Sequence, residues 1–247
     1  MYKKIKFSTE RAVKINDILV IGDLHIGYEI ELFQSGISIP SQTYKMLERI
    51  KKLITEMNVN KILFLGDVKH NIPFPSFQER KELFEFFNEL KQIGIEIIIV
   101  KGNHDGDIEK YVPSEIKIAG GDGIKIKNFG FAHGHAWIKK ELLNCKYLFL
   151  AHEHPAIEFK DKLGYKAIEP CWIITNPLKE KFEEKFQEKC KIKKVIILPA
   201  FNHLIGGMSF NKLEFKPLGV NTNFLDLKNA EIYLVNGVYL GKLKNLI

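Results

Sequence analysis

The sequence predicts an α/β fold built from two packed β-sheets flanked by helices. Apolar strands alternate with amphipathic helices through the first hundred residues, which requires parallel crossovers and helices covering a sheet. After Asp122 the texture changes to shorter strands with few helical stretches between them. Five of the strands run directly into polar, glycine-marked segments.

The first strands are Ala12–Ile15 and Ile18–Ile21, a hairpin around Asn16-Asp17. Ser41, after Pro40, is placed to cap a helix running to about Met57, with Leu47, Ile50, Leu53 and Ile54 on one face. Lys61–Leu65 is the next strand. Ser76–Ile93 reads as a second amphipathic helix, stopped by Gly94, and Ile95–Val100 as a further strand. The shorter strands are Ile124–Lys127, Phe129–Ala132, Tyr147–Ala151, Ala167–Ile174 and Val195–Leu198. Charged Leu178–Lys191 is a helix or an excursion, and Glu231–Val235 with Val238–Leu243 forms a hairpin around Asn236-Gly237. No repeat, low-complexity block or Gly/Ser-rich linker divides the chain, so residues 1–247 are expected to form one domain.

Composition bounds the function classes. At 45% hydrophobic and 27% charged residues, the chain is neither disordered nor fibrous. Its apolar runs are too short for a bilayer span, and the charged start Met1–Lys6 lacks the apolar stretch of a secretory signal. Cys145, Cys171 and Cys190 are an odd number without CxxC spacing, which fits buried thiols in a reducing compartment; a cytoplasmic location is expected. The 37 basic against 30 acidic residues give a net charge of +7, compatible with a phosphate-bearing partner. Arg11, Arg49 and Arg80 are the only arginines. Lysine lacks the bidentate fork that reads bases, so sequence-specific DNA recognition is disfavoured.

The polar strand ends carry the chemistry. They are Gly22-Asp23-Leu24-His25, Gly66-Asp67-Val68-Lys69-His70, Gly102-Asn103-His104-Asp105, His133-Gly134-His135 and Ala151-His152-Glu153-His154. Seven of the eight histidines lie in these five segments. Ligands of α/β sheets bind outside the carboxyl ends of strands, so the segments should converge on one crevice. Carboxylate, amide and imidazole donors without thiolate suit Mn²⁺, Fe, Zn²⁺ or Ni²⁺. The set is too large for one zinc and about right for two shared divalent ions of the kind that clamp an in-line displacement. Either imidazole of His133-Gly134-His135 can serve as the ligand. His70 either lines a substrate groove or closes a turn, and His203 reads as structural.

These motifs in this order, Asp23-Leu24-His25, Gly66-Asp67, Gly102-Asn103-His104-Asp105, His133 and Ala151-His152-Glu153-His154, resemble the signature of the calcineurin-like metallophosphoesterase superfamily. A narrower set is similar to the archaeal ICC-like phosphoesterases and the bacterial ligase-associated DNA-damage-response endonucleases. It comprises Asp23–Glu29, Ser35–Pro40, Leu198-Pro199-Ala200-Phe201 and Gly206-Gly207. The resemblance implies a four-layer sandwich. It implies one metal held by Asp23, His25, Asp67 and His154, and a second by the shared Asp67 with Asn103, His133 and His152. It further implies His104 as the group protonating the leaving oxygen or steadying the charged transition state, Asp105 fixing the tautomer of His104, and a hydroxide bridging the ions as nucleophile. Two divalent ions, Mn²⁺ foremost, acting on DNA phosphodiesters in repair, follow from the same resemblance, with a repair helicase or ligase as possible partner.

Two other classes remain to be separated. A small-molecule phosphodiesterase or phosphatase for cyclic or modified nucleotides would share the site but need a closed pocket. A non-catalytic metal-binding scaffold for a helicase or ligase would not need His104. If a nuclease uses the lysine clusters Lys51-Lys52, Lys139-Lys140, Lys189, Lys191 and Lys193-Lys194, its binding should weaken steeply with salt.

Overall fold

The structure, a computed structural model, describes residues 5–247; the start of the charged run Met1–Lys6, residues 1–4, lies outside the described residues. One sheet contains, in spatial order, β1 (Ile5–Phe7), β2 (Val13–Ile15), β3 (Ile18–Ile21), β4 (Lys61–Leu65), β5 (Glu96–Val100) and β6 (Lys117–Ala119). β1 to β3 are antiparallel, and β3 to β6 are parallel. Helices α1 (Tyr28–Gln34) and α2 (Thr43–Met57) connect β3 to β4, and α3 (Phe77–Gln92) connects β4 to β5.

The second sheet is also mixed. It is built from β7 (Ile124–Ile126), β8 (Phe129–Ala132), β9 (Tyr147–Leu150), β10 (Pro155–Lys160), β11 (Lys166–Thr175), β12 (Lys194–Ile197), β13 (Met208–Ser209), β14 (Glu231–Leu234) and β15 (Tyr239–Lys242). The central strands β8, β9 and β12 are parallel. Long β11 pairs with β10 through its first half and lies between β12 and β14 through its second. Helix α4 (Lys179–Phe186) precedes β12.

Strand periodicity explains the layering. Ile18 and Val20 of β3, Leu63 and Leu65 of β4, and Ile98 and Val100 of β5 pack against Phe129, Phe131, Phe149, Trp172 and Ile196 of the other sheet. The alternate residues Leu19, Ile21, Ile62, Phe64, Ile97 and Ile99 face the opposite way, onto Leu47, Ile50, Leu53, Leu83, Phe86 and Phe87 of α2 and α3. The outer face of the second sheet is covered by Leu142, Leu143, Phe182 and Phe186. Each of these large apolar side chains contributes about 1.5–3 kcal/mol by leaving water. The result is the expected α/β sandwich of helix, sheet, sheet and helix layers. Among the described residues, no helix is long and apolar enough to cross a membrane.

The helix starts have local causes. Ser76 Oγ accepts the Glu79 backbone N–H at 3.1 Å while the Glu79 carboxylate accepts the Ser76 N–H at 3.2 Å, a reciprocal cap. Ser41 sits one residue before the start of the α2 cap; its Oγ accepts the Thr43 N–H at 3.2 Å, and the Gln42 N–H goes to the buried Glu29 carboxylate at 2.6 Å. The expected strands are present, with ends shifted by a residue or two. Helix α1 and strands β1, β6, β10 and β13 were not anticipated, because segments of two to seven residues carry too little periodicity to stand out.

Candidate metal centre

Strands β3, β4 and β5 of one sheet and β8 and β9 of the other all end at the same edge, where their loops are stitched together. Asp23 N–H donates to the Gly66 carbonyl at 3.1 Å and His25 N–H to the Asp67 carbonyl at 2.8 Å. His152 N–H donates to the Asp23 carboxylate at 3.3 Å, and Ala151 N–H to the His133 carbonyl at 2.9 Å. Two buried carboxylates, Asp23 (0% exposed) and Asp67 (2%), therefore face one another's loops. Around them, His133 Nε2 lies 3.0 Å from Asp23 Oδ1 and 3.4 Å from Asp67 Oδ2. His154 Nε2 is 3.3 Å from Asp23, and His25 Nε2 is 3.6 Å from Asp67.

The backbone is shaped for this convergence. Asp23, His25, Asp67, His152 and His154 all adopt positive φ, between 43° and 72°. Such conformations cost non-glycine residues on the order of 1–3 kcal/mol each and persist where the surrounding structure enforces them, often at functional sites. Gly66, at φ 82°, has no alternative: a Cβ there would lie 2.2 Å from the His133 ring.

Among the described residues three donor sets have ligand atoms within 4.8 Å of one another: Asp23, His25 and His154; Asp67, His133 and His152; and His25, His70 and His104, the one set without a carboxylate. Burial favours a neutral His25, pushed down to about 3 despite Asp67 and Asp23, and a neutral His152, pushed down to about 4 with help from His133. Burial also opposes charge on His133 and His154, but there the carboxylates win and raise both, Asp67 foremost for His133 and Asp23 for His154. Burial pushes the Asp23 carboxyl up, and His154 and His133 outweigh it, so that carboxyl stays ionised. Asp67 is likewise lowered, by His133 and His25 against burial. His25 Nε2 and His154 Nε2 are buried without a hydrogen-bond partner. A buried unpaired nitrogen costs about 1–3 kcal/mol, which a ligated cation would remove. Oxygen and imidazole donors flanking orphaned nitrogens fit divalent metal ions.

His70 and Glu31 orient one of these ligands. His70 Nε2 lies 2.7 Å from the Glu31 carboxylate, and His70 Nδ1 lies 3.1 Å from His25 Nδ1. The carboxylate fixes the proton on His70 Nε2, so His70 Nδ1 accepts from His25 Nδ1–H and leaves the His25 Nε2 lone pair facing the centre. His70, read from the sequence as either lining a substrate groove or closing a turn, has both ring nitrogens engaged and is buried. His70→Ala should weaken divalent-metal affinity by about 10–100-fold while the fold holds, read by metal titration beside circular dichroism.

Asp105 also corrects an expectation. Its carboxylate does not touch His104; it accepts the Val68 and Lys69 N–H groups at 2.9 and 3.1 Å and the Gly102 N–H at 2.8 Å. Burial and Asp67 raise it to about 6. The side chain points inward because the turn after Gly102 aims it at amides that have no other acceptor, tying the 66–70 loop to the 102–105 loop. The His70 carbonyl, bonded to His104 Nδ1, takes the tautomer-fixing role. Asp105→Ala should lower stability by at least about 3 kcal/mol, the cost of three unsatisfied buried N–H groups at the low end of their range, measured by denaturant unfolding.

The other site residues take distinct positions. His104 is half-buried at the mouth, its ring 4.8 Å from that of His25 and stacked on His70 at 5.4 Å. Its neighbour Asn103 is exposed on the same loop. His135 lies behind His133, with the two Nδ1 atoms 3.0 Å apart. Sequence reading missed three carboxylates that hold the loops, two buried and one, Glu31, exposed. Glu79 accepts the His70 and Asn71 N–H groups at 2.7 and 3.1 Å, Glu153 accepts those of Leu218 and Gly219 at 3.0 and 2.8 Å, and Glu31 acts on His70. The first had a legible signal, the Ser76-x-x-Glu79 cap; the other two had none.

The lysine clusters are spread over the fold, and Lys139 lies closest to the centre, paired with Asp122 next to Gly121, which abuts the His135 ring. Lys193-Lys194 stand at the start of β12, which runs parallel to β9, whereas the centre lies at the strand ends. Lys51 pairs with Glu48 and Glu89, each at 3.1 Å, and Lys139 with Asp122 at 3.4 Å.

Comparison with known proteins places this geometry. The family described as calcineurin-like phosphoesterase matches residues 17–197. No curated protein matches the sequence. Among solved structures, the nuclease MPE of Pseudomonas putida aligns with a TM-score of 0.58 at 17% identity, over 94% of this chain and 90% of that one. The E. coli phosphoesterase Yfce aligns with a TM-score of 0.36 at 18% identity, over 58% of this chain and 73% of its own. The first likeness shows a shared fold.

Proposed function

The chain belongs to the calcineurin-like phosphoesterase family and is a metal-dependent phosphoester hydrolase, and from that premise we propose that it cleaves nucleic-acid phosphodiesters. Its role is that of a DNA endonuclease or phosphodiesterase without sequence specificity, working in repair in the cytoplasm. The observation that carries the reading is the pair of carboxylate-bearing donor sets that share one edge of the sandwich.

Asp23, His25 and His154 would hold one divalent ion, Asn103, His133 and His152 would hold a second, and Asp67 would serve both. Mn²⁺ is the leading candidate among the ions this donor chemistry accepts. Bound divalent ions supply Lewis acidity, neutralising charge on phosphoryl oxygens and acidifying water. The protein's own groups do the rest. Asp23 and Asp67 keep the centre anionic, and Glu31 with His70 fixes the lone pair of His25. His104 gives its Nδ1–H to the His70 carbonyl and, as imidazolium, presents Nε2–H at the mouth, whose proton passes to the leaving oxygen and leaves the neutral ring. Exposed Phe74 and Phe77, close in sequence to His70, offer faces on which unpaired bases can stack. The nuclease fold neighbour points to the same substrate class.

The test compares rates on a single-stranded oligonucleotide, a cyclic nucleotide and p-nitrophenyl phosphate with Mn²⁺ present. The oligonucleotide should be preferred. Preference for the cyclic nucleotide or the monoester would overturn the nucleic-acid assignment.

A further inference from the structure

A second cavity opens beside the metal centre and shares one residue with it. It has a volume of about 260 Å³, and its walls include His154, Arg11, His203, Ile168, Pro170 and Gly206. His154 belongs at the same time to the set with Asp23 and His25. A molecule reacting at the centre therefore has this space directly beside it.

Its lining combines a held cation with apolar walls. Two of the chain's three arginines meet here. Arg49 is occupied: its Nε pairs with Glu10 at 2.8 Å, and its guanidinium covers the Phe201 ring at 4.0 Å. Arg11 is different. Its Nη1 donates to the Ala200 and Asn202 carbonyls at 3.1 and 3.4 Å, which fixes the guanidinium and leaves its Nε and Nη2 donors for a ligand. Glu169 is its nearest uncommitted acidic influence, since Glu10 is taken by Arg49. Ile168, Pro170 and Ile205 form apolar surface on the same cavity, and exposed His203 stands at its edge.

The glycine pair is informative. Gly207 is required by packing, since a Cβ there would lie 2.4 Å from Ala156 Cβ. Gly206 is not: its φ is outside the left-handed region, and a Cβ would meet nothing within 4 Å. Nothing in the fold calls for glycine at 206, yet the residue faces the cavity. Space kept clear beside a reactive centre suits a ligand that needs it.

We infer that this cavity is a nucleoside subsite, taking the nucleoside next to the scissile phosphate against Ile168 and Pro170 and its outward phosphate against Arg11 and His203. The inference rests on the phosphodiesterase reading and deepens it, because it makes a nucleoside flanking the reacting diester part of the recognised substrate. The same chemistry is offered by a strand of nucleic acid and by a small nucleotide; the length of chain beyond the flanking nucleoside separates them.

The test uses Mn²⁺-loaded protein with Gly206→Val, which fills the cavity, and His203→Ala, whose side chain is exposed. Arg11 is left in place because it holds the 200–202 backbone. Substrates are a 5′-phosphorylated dinucleotide, a cyclic mononucleotide and bis(p-nitrophenyl) phosphate. Gly206→Val should raise KM for the dinucleotide about tenfold or more. His203→Ala should raise it severalfold, and both should leave bis(p-nitrophenyl) phosphate unchanged. Equal effects on the dinucleotide and bis(p-nitrophenyl) phosphate, no effect on the dinucleotide, or an effect confined to the cyclic mononucleotide would overturn the assignment. If wild-type protein hydrolyses none of the three, the phosphodiesterase reading has failed. Calorimetric binding of thymidine 5′-phosphate then decides the subsite: weaker binding by Gly206→Val retains it, and equal binding removes it.

Discussion

Asp67→Asn should lower the Mn²⁺-dependent phosphodiesterase rate by at least about 10²–10³-fold, the cost of deleting one fixed electrostatic group from such a site. Like Asp23, which lies 3.0 Å from His133 Nε2 and 3.3 Å from His154 Nε2, this carboxylate touches members of both carboxylate-bearing donor sets: its Oδ2 lies 3.6 Å from His25 Nε2 and 3.4 Å from His133 Nε2. Its Oδ1 accepts the His104 backbone N–H at 2.9 Å, so it also holds the loop that carries the proton donor. Asparagine keeps the shape and one acceptor but removes the charge. The side chain is almost fully buried, so solvent cannot replace that charge. Elemental analysis should show fewer than two bound ions, while circular dichroism stays native. An unchanged rate with a full complement of metal would remove Asp67 from the centre.

The second large effect is expected at His104. His104→Ala should reduce kcat by about 10²–10⁴-fold for substrates with poor alkoxide leaving groups, the usual range for a lost general acid. The loss should shrink for p-nitrophenyl esters, whose leaving group departs without a proton. Metal content should not change, because the His104 ring bonds to the His70 carbonyl, and its link to Asp67 runs through the backbone N–H, which alanine keeps. A uniform loss across leaving groups would assign His104 to positioning or charge stabilisation instead. Retention of all activity would remove His104 from the chemical step.

How much of this was legible in the sequence depends on how local each cause is. Helix α3 was readable to within a residue because Ser76, Gly94 and the spacing of Leu83, Phe86, Phe87 and Leu90 all act within a few positions. The strand-end segments were readable because each polar run interrupts an apolar one. The His25–His70–Glu31 chain was not, since it joins β3, β4 and α1 across 39 and 45 positions and α1 itself has only seven residues. Asp105 was misread for a related reason. Proximity in sequence to His104 suggested a side-chain partner, whereas the turn directs the carboxylate to three backbone amides. Arg11 and His203 meet across almost the whole chain, through the seating of Phe201 N–H on the Gly22 carbonyl and of Asn202 Nδ2 on the Leu24 carbonyl. Lysine clusters, conversely, were conspicuous in sequence, yet Lys51 and Lys139 are engaged in ion pairs with Glu48, Glu89 and Asp122.

The central claim, a two-ion centre that cuts nucleic-acid phosphodiesters, is tested most directly with circular single-stranded DNA. Protein stripped of metal should leave the circles intact, and resupply of Mn²⁺ should open them at internal positions. Intact circles after Mn²⁺ is restored, with small phosphoesters still hydrolysed, would contradict the nuclease assignment and leave a phosphoesterase for small molecules.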